Sequence, residues 1–279
     1  MSPVESDEED LTRKQRREQA RSQRKELEEA EAASAARRTR LMQLASVVAV
    51  VVVAIVVILL ATGGGGTKKI TAGSKPAIET QKQVTSLVAG ISQSGNVLGK
   101  STAPVTMQYF GDLECPICKD FTLGALPALI QKWVRAGKLR IEYRSLETAT
   151  NEQEVFKLQQ VAALAAGKQN KMWNYIETFY HEQGEEKTGY VTENYLQGLA
   201  KQVPGLNLAQ WTSDRNDAAL SKQVEADGEA ATGAGFNGTP SFLLGRSGST
   251  LEKVAELSNS QLTEASAFFD PAIEKLLKK

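Results

Sequence analysis

A chain of 279 residues has room for one domain of ordinary size with appendages, or for two small ones. Lys plus Arg equals Asp plus Glu at 33 each, so net charge offers nothing to a nucleic acid. Two cysteines and one histidine, His181, are too few for a tetrahedral zinc site within one chain, which needs about four ligands.

Residues 1–40 begin with an acidic tip (Glu5, Asp7, Glu8, Glu9, Asp10), followed by a Lys/Arg/Glu/Gln-rich run over 13–31. Few side chains there have anything to bury, so the segment reads as a charged, solvated tail supported by pairs such as Arg24 with Glu28. Residues 41–61 then carry no charge, and Gln43 and Ser46 are their only polar side chains. At about 1.5 Å per residue the run is ~32 Å long, enough to cross a bilayer, so a transmembrane helix is expected over 41–62. Cleavage near Ala61-Thr62-Gly63 is the alternative, but a signal peptide would not carry so long a region before an apolar core longer than about 7–15 residues. Arg37, Arg38 and Arg40, backed by Arg21, Arg24 and Lys25, outweigh Lys68, Lys69 and Lys75 on the far side. The expected topology is therefore a single-pass cell-membrane protein with its N-terminus in the cytoplasm and the remainder outside, where disulfides persist.

Residues 63–90 read as a linker, with a glycine hinge at 63–66 and a short helix over 77–89 that presents Ile78, Val84, Leu87 and Val88. Residues 105–121 organise the rest of the chain: an apolar strand-like run, a Gly-Asp turn, then Cys115 and Cys118 around Pro116 and Ile117. Pro116 suits the first position of a helix, and Phe121, Leu123, Leu126, Leu129 and Ile130 continue at helical spacing. Cys115 then sits at a helix N-terminus, where unpaired N–H groups and the helix dipole favour the thiolate; a pKa near ~8.5 falls to roughly 3.5–7.5 in such a place. Cys118, one turn on and less exposed, is placed to attack a mixed disulfide formed by Cys115. A purely structural disulfide closing so short a loop would stabilise little, which favours redox chemistry.

Residues 139–146 alternate apolar and charged side chains and read as a second strand, with Glu142 as either a proton relay or a solvent-facing residue; the alternation favours the solvent-facing role. Residues 151–234 show helical spacing throughout, broken at Gly167, Gly184 and Pro204-Gly205, and read as three to four helices inserted as a block. Trp173, Tyr175, Phe179, Tyr180 and Tyr195 are expected in its core, and His181 at a helix end on the surface. A Gly-Thr-Pro turn at 238–240 leads into an apolar strand, a hairpin turn at 245–249, a short partner strand over 251–254 and a closing amphipathic helix over 261–277.

Taken together, Leu98-Gly99 with Ala103-Pro-Val-Thr106, Phe110-Gly-Asp-Leu-Glu-Cys-Pro-Ile-Cys118 and Gly238-Thr-Pro-Ser-Phe242 resemble the DsbA-like thiol:disulfide oxidoreductases over about residues 90 to 279. The resemblance implies an α/β thioredoxin fold over 91–279 with a helical subdomain inserted at about 150–234, here preceded by one transmembrane helix. It implies a thiolate at Cys115, a resolving thiol at Cys118, redox tuning by Pro116 and Ile117, and a cis peptide at Thr239-Pro240 facing the disulfide. No cofactor is implied beyond the Cys115–Cys118 pair itself. The implied partners are exported proteins bearing cysteines and a membrane redox protein of the DsbB or VKOR kind. Members of that family often carry an acid where Tyr109 stands, leaving Glu142, Glu114 or water as the proton relay. The Pro116-Ile117 dipeptide also lacks the histidine of the strongly oxidising relatives. Disulfide formation is the leading expectation; a reductase or isomerase, or a non-catalytic binding module on the same fold, are the alternatives.

Overall fold

A computed structural model of the chain describes residues 72–278, all within the unit Gly65–Lys279. The charged tail 1–40, the expected span 41–62 and the glycine hinge lie outside the described residues. Among the described residues no helix is long and apolar enough to cross a membrane.

The first helix, α1 (Lys75–Val88), matches the one expected over 77–89 and starts where Ser74 accepts a hydrogen bond from the Ala77 N–H. Its C-terminal carbonyls on Ser86, Leu87 and Ala89 accept from the Arg135 guanidinium, a cation placed at the negative end of the helix. A small hairpin, β1 (Gln93–Ser94) and β2 (Val97–Leu98), comes next and leads to the central strand β3 (Val105–Gly111). With β4 (Leu139–Ser145), β5 (Ser241–Arg246) and β6 (Glu252–Lys253) these strands form one sheet in the order β1-β2-β4-β3-β5-β6. Only the β3–β4 pair is parallel; the other pairings are antiparallel.

The position of each strand accounts for its residues. β3 lies between β4 and β5 and is covered on both faces, so six of its seven residues are buried and Thr106 and Gln108 are the only polar side chains in the run. On β4, Leu139, Ile141, Tyr143 and Ser145 are buried while Arg140, Glu142 and Arg144 are partly exposed, in keeping with the expected alternation.

After the Cys-Pro-Ile-Cys turn come α2 (Pro116–Leu123) and α3 (Ala125–Leu129), then a π-helical turn over Ile130–Val134. Gly124 lies between α2 and α3, where a Cβ would stand 2.8 Å from the Thr263 Cα, so the junction has room for glycine and for no side chain. The insertion holds α4 (Gln153–Gly167), α5 (Met172–His181), α6 (Glu193–Ala200), α7 (Leu208–Asp214) and α8 (Ala218–Gly233). That is one helix more than the upper expectation. The apolar spacing over 208–231 continues across a break at which Asp217 caps α8 through the Ala219 N–H, so periodicity alone reads two helices as one. The five aromatics expected in this core are buried, and His181 is the last residue of α5. Asp227 on α8 accepts from the Arg144 guanidinium and the Ser145 N–H, at 2.6 and 2.9 Å, and so fastens the insertion to the sheet.

The closing segment is α9 (Asn259–Thr263), a 3-10 turn at Ala265–Ala267 and α10 (Phe269–Lys278), where one continuous helix is expected from spacing. Glu264 is extended at the break, and Phe269 enters the core against Phe121 and Phe242, with ring centroids 5.5 and 5.2 Å away. Burial of that ring outweighs continuity of the helix.

Gly99 joins the hairpin to the sheet with φ +112°, and a Cβ there would stand 2.8 Å from the Leu139 carbonyl oxygen. Gly99→Ala is expected to destabilise the chain by about 2–3 kcal/mol, read as a lowered denaturant midpoint without a change of slope.

Candidate active site

β3 ends at Gly111, and the chain turns at Asp112 into the two cysteines. Cys115 is the N-cap of α2, with Pro116 in the first turn where a missing N–H costs no hydrogen bond. Its sulfur accepts from the Cys118 N–H at 3.4 Å and lies 3.4 Å from the Thr239 carbonyl oxygen. Both cysteines are free thiols, 5% exposed at Cys115 and 0% at Cys118. The two environments push the thiols apart. The Cys118 thiol hydrogen-bonds to Cys115 and lowers its pKa to about 7, against the opposing effect of burial, and the Thr239 hydroxyl and the N–H groups of Cys118 and Ile117 add to the lowering. Burial first, then the neighbouring Cys115, holds the Cys118 thiol well above its ordinary value. One sulfur is prepared to ionise and the other to keep its proton.

Three further segments meet at the turn. The first is the loop after β4: the buried Asp112 carboxylate accepts from the N–H groups of Thr148, Ala149 and Thr150 and from the Thr150 hydroxyl, as well as from the Glu114 N–H of its own turn. The second is the end of α5: the Gln183 amide donates to the carbonyls of Leu113 and Cys115, at 2.8 and 3.0 Å. The third is the loop before β5, where Thr239-Pro240 is cis and the Thr239 hydroxyl bonds that of Thr148. Beneath Cys118, Tyr109 stacks against Phe242 and meets Phe121 and Tyr143 edge-on. Its hydroxyl lies 3.2 Å from that of Tyr180 and 3.4 Å from the Cys118 carbonyl oxygen. Beside the cysteines an open groove of about 520 Å³ is lined by Ile117, Pro240, Phe242, Val254, Leu257 and Leu262 among others.

The family profile described as Thioredoxin matches residues 92–259, more than half of the chain. The chain belongs to the thioredoxin family. Among curated proteins it is 26% identical over 150 residues to a probable disulfide bond formation protein D of Bacillus cereus, covering 53% of this chain and 68% of that one. It is likewise 26% identical over 153 residues to the disulfide bond formation protein D of Bacillus subtilis, covering 53% of this chain and 66% of that one. Among solved structures, oxidised BdbD from Bacillus subtilis superposes with a TM-score of 0.56 at 22% identity, over 67% of this chain and 97% of that chain. The alpha-DsbA1 of Wolbachia pipientis gives 0.52 at 17% identity, over 68% and 92%. These two likenesses establish a shared thioredoxin-like fold with a helical part.

Within this thioredoxin-family site the structure brings Cys115, Pro116, Ile117, Cys118, Thr239 and Pro240 together, with Glu114 beside them. It does not bring Glu142. That carboxylate stands on the outer face of β4, accepting from the Gln108 amide at 3.0 Å, whereas Tyr109, Tyr143 and the cysteines occupy the opposite face. Glu114 is 4% exposed, and burial first, then the nearby Asp112, pushes its pKa up to about 7. The Gln159 amide donates to it at 3.4 Å. Asp112, Thr148, Tyr180 and Gln183 also belong to the site, and apart from the Gly-Asp turn nothing local in the sequence marks them. Their roles arise from contacts between segments far apart in the chain.

Two measurements test these environments. Alkylation of reduced Cys115 is expected to rise with pH around a midpoint of about 7, with Cys118 unreactive over that range. Glu114, raised from its ordinary 4.5 to about 7, contributes stability that is full below the lower value and lost as pH rises through the upper. Glu114→Gln, which keeps the neutral form, is therefore expected to match the native chain in denaturant near pH ~4 and to exceed it near pH ~8.

Proposed function

We propose that the chain is a membrane-anchored thiol:disulfide oxidoreductase that forms disulfide bonds in exported proteins. The observation that carries this is the unequal pair: Cys115 at a helix N-terminus with its pKa lowered to about 7, beside a buried Cys118 held well above its ordinary value. In the oxidised protein, a substrate thiolate attacks Cys115; the Cys115–Cys118 bond breaks, a mixed disulfide forms, and Cys118 leaves as a thiolate that takes up a proton. A second substrate thiolate then attacks the substrate sulfur of the mixed disulfide. The substrate disulfide forms and Cys115 leaves as a thiolate, so two electrons have passed from substrate to the pair. A low pKa at Cys115 makes it the better leaving group, which favours the reaction in this direction.

The relatives named disulfide bond formation protein D support that direction. The groove past Ile117 and Pro240 offers an apolar bed for the substrate chain, and the Thr239-Pro240 backbone is the edge beside which its cysteine comes to rest. Glu114, in the cysteine turn with its pKa raised to about 7, exchanges the proton that Cys118 takes up. The apolar run 41–62 anchors the domain, the bases of 1–40 keep the N-terminus in the cytoplasm, and the pair is returned to its disulfide form by a membrane partner of the DsbB or VKOR kind.

A second reading, as an extracytoplasmic reductase or isomerase, is favoured by one feature. Cys115 lies at about 7, as in a reducing thioredoxin at ~7, whereas the strongly oxidising DsbA thiolate lies near ~3.5. The reduction potential of the full chain in detergent, by equilibrium with glutathione, separates the reductase from the other two. A value from roughly −120 to −180 mV supports bond formation or isomerisation, and one near about −270 mV supports the reductase. Cys115→Ser is expected to abolish oxidation of a reduced, unfolded substrate, and Cys118→Ser, given a substrate that already carries a disulfide, to stall as a mixed disulfide through Cys115 while the other substrate sulfur leaves as a thiolate; full activity in Cys115→Ser would overturn both redox readings.

A further inference from the structure

Of the asparagines in the chain, Asn237 alone is followed by glycine. Asparagine is chemically labile because the backbone nitrogen after it can attack its Cγ, and glycine puts no side chain in the way of that approach. The structure leaves this pair unopposed. Asn237 is exposed and lies outside any helix or strand. Among the described residues no hydrogen bond holds its carboxamide or the Gly238 N–H, and a Cβ at 238 would meet nothing within 4 Å.

Comparable groups elsewhere are tied down. The Asn96 and Asn216 amides donate to the carbonyls of Tyr143 and Thr212, at 2.8 and 3.4 Å, and the Asn174 and Asn207 side chains accept from the Gln93 amide and the Gln210 N–H. Asp227-Gly228, a chemically similar pair, sits inside α8 with its carboxylate accepting from Arg144 and Ser145. Around Asn237 the flanking chain is fixed although the pair is not. The buried Phe236 donates its N–H to the Ala231 carbonyl, and the Ser241 hydroxyl donates to the Gly238 carbonyl at 2.6 Å. Two residues after Asn237, the Thr239 carbonyl oxygen lies 3.4 Å from the Cys115 sulfur.

We infer that Asn237 is a self-modification site whose conversion switches off disulfide exchange as the protein ages. The Gly238 nitrogen bonds to the Asn237 Cγ; the side-chain amide nitrogen takes the Gly238 proton and leaves as ammonia, and a cyclic imide remains. Water then adds to one imide carbonyl and breaks its bond to the Gly238 nitrogen. Attack at Cγ gives an aspartyl residue, and attack at the main-chain carbonyl gives an isoaspartyl link. Nothing is oxidised or reduced, and water is the one co-reactant. The isoaspartyl link routes the main chain through the former side chain and lengthens it by one carbon, or ~1.5 Å. Between fixed flanks that extra length is taken up at Thr239-Pro240, which shifts relative to Cys115. The effect on exchange rests on the proposed function; the modification itself does not.

The test incubates the full chain in detergent at mildly alkaline pH, in its disulfide form so that the sulfurs are protected. Peptide mapping by mass spectrometry follows the loss of ammonia, the gain of water and the isoaspartyl share at each asparagine. The native chain is expected to convert at Asn237 well before any other asparagine. Gly238→Ala, for which the backbone has room, is expected to keep the amide over the same period. The rate at which each chain oxidises a reduced, unfolded substrate is then compared with its own rate before incubation. Because a misplacement of about 1 Å at a reacting centre costs roughly 100-fold in rate, the native rate should fall in proportion to the isoaspartyl share, while Gly238→Ala keeps its starting rate. Asn237→Gln, whose imide ring would need one more atom, takes the place of Gly238→Ala should that variant not fold. Conversion elsewhere as fast as at Asn237, equal conversion in Gly238→Ala, or an undiminished rate in the isoaspartyl chain would each overturn the inference. Failure of the exchange activity itself shows differently, as no substrate oxidation by the fresh chain, and the mass measurement then decides the site alone.

Discussion

A carboxylate with no exposure to water, Asp112, holds the site together. Burying such a charge without partners is prohibitive, and here five donors meet it: three consecutive backbone N–H groups, the Thr150 hydroxyl and the Glu114 N–H. Three successive N–H groups converging on one oxygen make an anion nest, so the loop after β4 takes a conformation it has little reason to adopt without the carboxylate. The sheet supplies the meeting place. β3 and β4 are parallel, so their C-terminal ends emerge at one edge, and the antiparallel β5 begins at that same edge. Cysteine turn, Asp112-bound loop and Thr239-Pro240 loop are adjacent for that reason, as catalytic loops commonly are at the carboxyl ends of parallel strands.

The difference between the two thiols comes from the side chains packed under them. Phe121 of α2 packs with Tyr109, Phe242 and Phe269 into a continuous aromatic layer under the helix, and Cys118 beside it has no exposure. Cys115, one turn earlier, caps the helix at the rim and collects donors from both sides. The Tyr109 hydroxyl reaches Tyr180 of the helical insertion, and Tyr180 donates to the Asp112 carbonyl. The insertion thus supports the turn from below as well as carrying Gln183 to its carbonyls. Tyr109 leaves the buried layer uncharged, and Glu114, in the cysteine turn, is an acid whose pKa burial and the nearby Asp112 raise to about 7.

Much of this was readable in the chain. The apolar run of β3, the alternation of β4, Pro116 at a helix start and the Gly-Thr-Pro turn before β5 are local signals, and each element appears within a few residues of its expected place. Local signals failed where tertiary packing overrode them. The stretch 208–231 became two helices at an Asp217 cap, and the closing helix broke at Glu264 so that Phe269 could enter the aromatic layer. Glu142 lay within the range of candidates until the register of β4 put it on the face away from the cysteines.

The sequence by itself determined the chemistry available: two cysteines in a strand-turn-helix setting, the order of strands and helices, and an apolar run long enough to span a bilayer. Those are properties of neighbouring residues, and backbone sterics, capping and periodicity act over a few positions. Tertiary structure alone decided which distant groups surround the sulfurs. Asp112 with 148–150, Thr148 with Thr239, Gln183 with Leu113 and Cys115, and Tyr109 with Tyr180 are contacts between segments that only the sheet topology brings together. Because pKa values depend on burial and on donors within a few ångströms, the poise of Cys115 and Glu114 belongs to that assembled site and to no stretch of the chain taken alone.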